Sequence, residues 1–176
     1  GEKEKRLASQ FMARFFKLFP DKHKEIFDHL IDLCEDDEVS IRKQVVHDLP
    51  SICKAVPSYT TQVADILVQL LQTTDQLELH GIQLSLAQLL EFDLKGTLEV
   101  VLRLINSENP DETFREKLVK FMAEKVRSIP EDKMKPEYEE MIIQGTQKVL
   151  SDASQEEFTM LITIMSSLKS MSTLLG

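Results

Sequence analysis

Tryptophan is absent from the 176 residues, and glycine (5), proline (6) and cysteine (2) are scarce. So little Gly and Pro leaves too few turn residues for a many-stranded β fold. The two cysteines form no CxxC pair and have no histidine at ligand spacing on the same helix turn, which excludes a disulfide scaffold and a zinc site. Cys34 and Cys53 read instead as buried core thiols in a reducing compartment. No apolar run approaches the roughly 18 residues that a membrane span needs. The opening residues Gly1 to Arg6 are expected not to be a secretory leader, which would be basic and then apolar.

Positive charge is also in short supply. There are 21 Lys and Arg against 30 Asp and Glu, a net charge of −9. Such a field repels nucleic-acid phosphates and complements a basic protein partner. The one basic cluster is the first helix, with Lys3, Lys5, Arg6, Arg14 and Lys17. Catalytic chemistry has nothing to stand on: there is no Gly-rich phosphate loop, no zinc spacing and no nucleophile motif. His23, His29, His47 and His80 are scattered over separate helices, with His23 and His47 expected to face solvent. Glu139 and Glu140 read as helix-surface charge. Catalytic, cofactor and metal residues are therefore all read as none, and the chain as no enzyme.

What is present is helical periodicity along almost the whole chain. Apolar residues at i, i+3 and i+4 predict helices over 3–19, 23–34, 39–56, 59–72, 76–90, 94–105, 112–129, 136–150 and 154–175. Leu7, Ala8, Phe11, Met12, Phe15, Phe16 and Phe19 are expected to form the buried face of the first. Ser154 with Glu157 three residues later reads as a capping box. Between the second and third helices lies the acidic turn Glu35-Asp36-Asp37-Glu38. Ser40 is expected to cap the third helix there, and Asp36 to pair with Arg42 as the inter-repeat rung.

These helices repeat. Pro20 and Pro57 are 37 residues apart, and Pro57 and Pro130 are 73 apart, nearly twice that. Sliding by 37 aligns Ala8, Val45 and Ile82; Met12, Leu49 and Leu86; Phe15, Ile52 and Leu89; and Phe16, Cys53 and Leu90. A shift of 73 puts Phe114-Arg115 on Ile41-Arg42, whereas Leu79 replaces the arginine in the unit between. A period in the high thirties with two helices per unit belongs to HEAT and armadillo repeats. The expected fold is all-α: a right-handed α-solenoid of antiparallel helix pairs, about nine helices in four to five hairpins, forming a single domain over 1–176.

Several blocks carry a closer likeness. Lys3-Glu4-Lys5-Arg6-Leu7-Ala8-Ser9-Gln10-Phe11, Arg14-Phe15-Phe16-Lys17-Leu18-Phe19-Pro20 and Leu33-Cys34-Glu35-Asp36 with Val39-Ser40-Ile41-Arg42 resemble the apoptosis inhibitor 5 family. So do Val63-Ala64-Asp65-Ile66-Leu67, Lys95-Gly96-Thr97-Leu98, Lys148-Val149-Leu150, Glu156-Glu157-Phe158 and Ser167-Leu168-Lys169-Ser170. The resemblance implies a HEAT scaffold, here expected to be part of a longer repeat protein. It implies a negative regulator of apoptosis in the nucleus and cytoplasm, with the nuclear signal outside this segment. The partners it implies are the basic fibroblast growth factor 2, the chromatin-condensation factor Acinus, and RNA helicases of messenger-RNA export. Adaptor of such a helicase and HEAT-type regulatory subunit of an enzyme are the alternative functions.

Two candidate sites emerge. Leu67-Val68-Gln69-Leu70-Leu71 and Leu86-Ala87-Gln88-Leu89-Leu90 both fit LxxLL docking helices, but Leu86, Leu89 and Leu90 fall on aligned core positions, which favours the core. The family resemblance implies instead that an acidic edge grips the basic growth factor. Glu112, Asp152 and Glu157 are the protein-binding residues carried over, while Ser151 stands where the family has an acid.

Overall fold

A computed structural model describes residues 1–109 and 111–171. They form nine bounded α-helices: α1 (Glu2–Phe15), α2 (His23–Leu33), α3 (Val39–Ala55), α4 (Thr60–Leu70), α5 (Gln76–Phe92), α6 (Leu94–Ile105), α7 (Glu112–Val126), α8 (Pro136–Leu150) and α9 (Gln155–Ser166). Helical backbone resumes at 169–171, and no strand occurs among the described residues. The helix expected over 154–175 thus breaks after Ser166, and 172–175 lie outside the described residues. No described helix is long and apolar enough to cross a membrane.

Two compact units can be described, 1–97 and 98–176, with the division at the end of the first turn of α6. In the first unit α1 lies on α3 and α3 on α5, while α2 packs against α3, and α4 against α3 and α5. In the second unit α7 lies on α9, and α8 packs against α9. Both units are stacks of antiparallel helix pairs, the all-α repeat class read from the periodicity.

The aligned apolar positions make the core. Val45, Leu49, Ile52, Leu86, Leu89, Leu118 and Met122 are all fully or almost fully buried, as are Leu67 and Leu71 of the first LxxLL segment. Both LxxLL stretches are therefore core. The first helix departs from expectation. It turns Ser9 and Ala13 inward, followed by Phe16, and leaves Leu7 and Phe11 half exposed at 52% each. Small residues on that face allow close approach to α3, and Ser9 Oγ donates to the buried Asp48 carboxylate of α3 at 2.8 Å.

His23 also departs from expectation. Its ring stacks on buried Phe16 with centroids 4.1 Å apart, edge-on to Tyr59, and its Nε2 lies 2.9 Å from the Phe16 carbonyl oxygen. Proline makes it possible: Pro20 opens a short 3₁₀ turn, Pro20–Lys22, that folds His23 back over the end of α1. Pro57 works the same way ahead of α4.

Pro50 lies inside α3 and is buried. A proline there has no N–H for the carbonyl four residues earlier, that of Val46. Ser85 of α5 supplies the missing donor: its Oγ donates to the Val46 carbonyl oxygen at 2.7 Å. In the second unit the close approach is made by Gly145 of α8, where an added Cβ would meet Leu102 at 2.8 Å. Asn106 bridges the same place, donating from Nδ2 to the Gly145 carbonyl oxygen at 3.0 Å.

Ser85→Ala is expected to cost about 1–3 kcal/mol in urea unfolding, because the Val46 carbonyl is left buried without a donor. In a Pro50→Ala background the restored N–H should shrink that loss markedly. Equal losses in both backgrounds would refute the compensation.

Candidate functional site

The acidic edge is built from the first turns of α7 and α9 and the turn that precedes α9. In α7 the fourth residue is Arg115, whose side chain is only 9% exposed. Its Nε and Nη2 donate to the two oxygens of Glu157, both at 2.9 Å. Nη1 donates to Asp152 Oδ2 at 3.1 Å, and Nη2 to the Asp152 carbonyl oxygen at 3.3 Å. Glu157 is the third residue of α9 and closes the capping box with Ser154, as its spacing predicts. The planar guanidinium suits this fork, where an ammonium would not.

The same module recurs in the first unit. Arg42, the fourth residue of α3, donates from Nε to Glu78, the third residue of α5, at 2.7 Å. Its Nη1 donates to the carbonyl oxygens of Asp36 and Asp37 at 2.7 and 3.1 Å. From α1, which lies on α3, Lys5 reaches the Asp36 carboxylate at 2.6 Å. The expected Asp36–Arg42 rung therefore exists only through the Asp36 carbonyl. The carboxylate serves Lys5, and the acid on Arg42 is Glu78, which sequence reasoning missed. Ser40 does not cap α3 either: Glu38 is at the N-cap, and Ser40 is the second helical residue, its Oγ donating to Glu2 of α1. Asp75 is a true cap that went unnoticed, accepting from the N–H groups of Leu77 and Glu78. Its Asp-x-x-Glu spacing was the available signal.

Charge on this edge is thus divided between structure and surface. Glu157 is 2% exposed and held by Arg115, so it is not presented to solvent. Asp152 keeps 67% of its side chain exposed while bound to Arg115. Glu112 is fully on the surface at the start of α7. Beside them Glu116 and Glu156, both exposed, line a shallow hollow between α7 and α9 with Lys120, Gln155 and Thr159. These two acids were not among the residues expected.

Burial alone would push the Glu157 carboxyl up. The Arg115 hydrogen bonds, the Ser154 N–H and the Arg115 charge outweigh it and hold the carboxyl below the usual range. Glu139 of α8 is similar: burial opposes its charge, but the Ser170 hydroxyl and the Lys169 and Ser170 N–H groups hold its carboxyl down. Cys34 and Cys53 are both buried, and burial pushes each thiol up to about 12. Among the described residues no group of three or more His, Cys, Asp or Glu gathers as a metal site would require.

The family model described as Apoptosis inhibitory protein 5 (API5) matches residues 1–174. The chain belongs to this family. Apoptosis inhibitor 5 of Mus musculus is 40% identical over 176 residues, covering 100% of this chain and 34% of its own length. The Drosophila melanogaster homologue is 38% identical over 174 residues, covering 99% of this chain and 32% of its own length. The chain therefore spans about a third of the length of the curated relatives it matches. Among solved structures, a designed armadillo repeat protein is similar at a TM-score of 0.42 and 16% identity, over 99% of this chain and 79% of that one.

Glu157→Gln should cost about 3 kcal/mol in denaturant unfolding, since it weakens the main partner of a buried guanidinium. A loss no greater than that of an exposed Glu156→Gln control would contradict the internal role. Glu157 and Glu139 both have depressed folded-state values. Their contribution is present above the unfolded carboxyl value of about 4.3 and disappears as pH falls through the folded values. Melting temperature followed by circular dichroism should therefore drop as pH is lowered below about 4.3, and Glu157→Gln should drop less steeply.

Proposed function

We propose that the chain is a non-enzymatic protein-binding scaffold in the negative regulation of apoptosis, acting in the nucleus and cytoplasm and receiving a basic partner on its acidic edge. The observation that carries this reading is the exposed Asp152 carboxylate, anchored by Arg115 at the junction of α7 and α9 with Glu112, Glu116 and Glu156 exposed nearby. An anchored carboxylate loses little side-chain freedom on binding, and neighbouring acids steer a basic protein towards it. Family membership supports the apoptotic setting, and a basic fibroblast growth factor is a partner of the right charge.

In this arrangement Glu157 acts from inside. It fixes Arg115, which fixes Asp152, while the contact itself falls to Asp152, Glu112, Glu116 and Glu156. Reversing Glu157 would put a cation against Arg115 and disturb the fold, so the surface acids are the informative ones to change. Glu112→Lys with Glu156→Lys should weaken binding to a basic fibroblast growth factor about tenfold or more at low salt, with an unchanged circular dichroism spectrum. Raising the salt should narrow the gap between variant and wild type. Titration by biolayer interferometry measures both, and an affinity unaffected by the double reversal would defeat the acidic-edge reading.

A further inference from the structure

The first unit carries a surface of opposite character. The same faces of α1, α3 and α5 line a groove of about 860 Å³, which runs on into a hollow of about 460 Å³ through Gln10, Gln44 and His47. Its cations are Arg6 and Lys43, joined by Arg14 in the hollow. All three are exposed, and among the described residues none of them makes an ion pair. The acids along it are Glu91 and Asp48, and Asp48 is already engaged by Ser9 and Gln44. Three cations against two acids make a small local excess of positive charge in a chain of net charge −9.

The cations are placed by the repeat. Arg6 and Lys43 are 37 residues apart, each directly following the residue that forms the rung, Lys5 and Arg42. The rung residue turns inward and its successor turns towards the groove. Neighbouring helices stand about 8–10 Å apart, and an extended chain rises about 3.3 Å per residue. A segment crossing from α1 to α3 would therefore meet two cations about three residues apart, Arg6 and Lys43, while α5 offers Gln88 and Glu91 but no cation. Arg14 stands two turns along α1 from Arg6, about 12 Å away. Gln10 and Gln88 add exposed amides that can donate to and accept from a peptide backbone.

We propose that this groove binds an extended, acidic peptide segment of a partner protein, with two Asp or Glu residues about three positions apart to meet Arg6 and Lys43. A peptide fits better than a single-stranded nucleic acid, because no Phe, Tyr or Trp lines the groove to stack on bases. The site is separate from the acidic edge, on another unit and of opposite charge, so the two stand or fall independently.

Fluorescence anisotropy with the whole chain tests it. The probe is a short labelled peptide with two glutamates three positions apart. Its glutamine counterpart and a single-stranded oligonucleotide of equal length serve as competitors. Arg6→Glu with Lys43→Glu should weaken peptide binding about tenfold or more, and the milder Arg6→Gln with Lys43→Gln should weaken it in the same direction. Lys133→Glu with Lys148→Glu makes the same change of net charge on the other unit and should alter binding less than about twofold. Equal losses in the groove and control variants would overturn the proposal. So would equal binding of the glutamine peptide, or tighter binding of the oligonucleotide.

Discussion

A guanidinium at the fourth residue of one helix, gripping a carboxylate at the third residue of the helix stacked beside it, sets the register of these repeats. Apolar burial supplies most of the stability, but leucine-rich faces tolerate sliding. A forked hydrogen bond does not. Arg42 with Glu78 and Arg115 with Glu157 place neighbouring first turns level with each other. That alignment in turn brings Val45 and Leu49, or Leu118 and Met122, opposite their partners. Lys5 on Asp36 ties α1 to the turn before α3 with a softer, single-point donor. Removing one member of such a pair leaves a partly buried charge, so each rung is costly to lose even though it adds little net stability.

The helices and the core of α3, α5 and α7 were legible because their period is local and their burial is complete. The inward face of α1 was not. Its strong apolar residues, Leu7 and Phe11, outbid Ser9 and Ala13 in any reading by hydrophobicity, yet what α3 accepts there is a small surface with a hydroxyl aimed at Asp48. Asp36 was given to the wrong cation because sequence proximity favours Arg42, while Lys5 arrives from 31 residues away. His23 looked exposed because its neighbours in sequence are charged; its neighbours in space are Phe16 and Tyr59.

Glu157 shows how one residue supports two readings at once. As part of Ser154-x-x-Glu157 it is a capping residue, and capping residues point back at the backbone. As a family acid on an acidic edge it was expected to point at a partner. The fold buries it under Arg115, while Asp152 on the same guanidinium stays exposed. Glu116 and Glu156 escaped notice for a simpler reason: exposed acids are common on a chain with this charge, and only their shared hollow distinguishes them.

The two cysteines acquire a use from the same packing. Cys34 closes α2 and Cys53 lies near the end of α3, both buried in the first unit, with thiols pushed up to about 12. A thiol held so far from ionisation is inert to alkylating reagents while the helices remain stacked. Its modification rate then records how often that part of the first unit opens, and the two sites sample the ends of different helices. The molecule thus carries a pair of native clocks for the breathing of its own repeats.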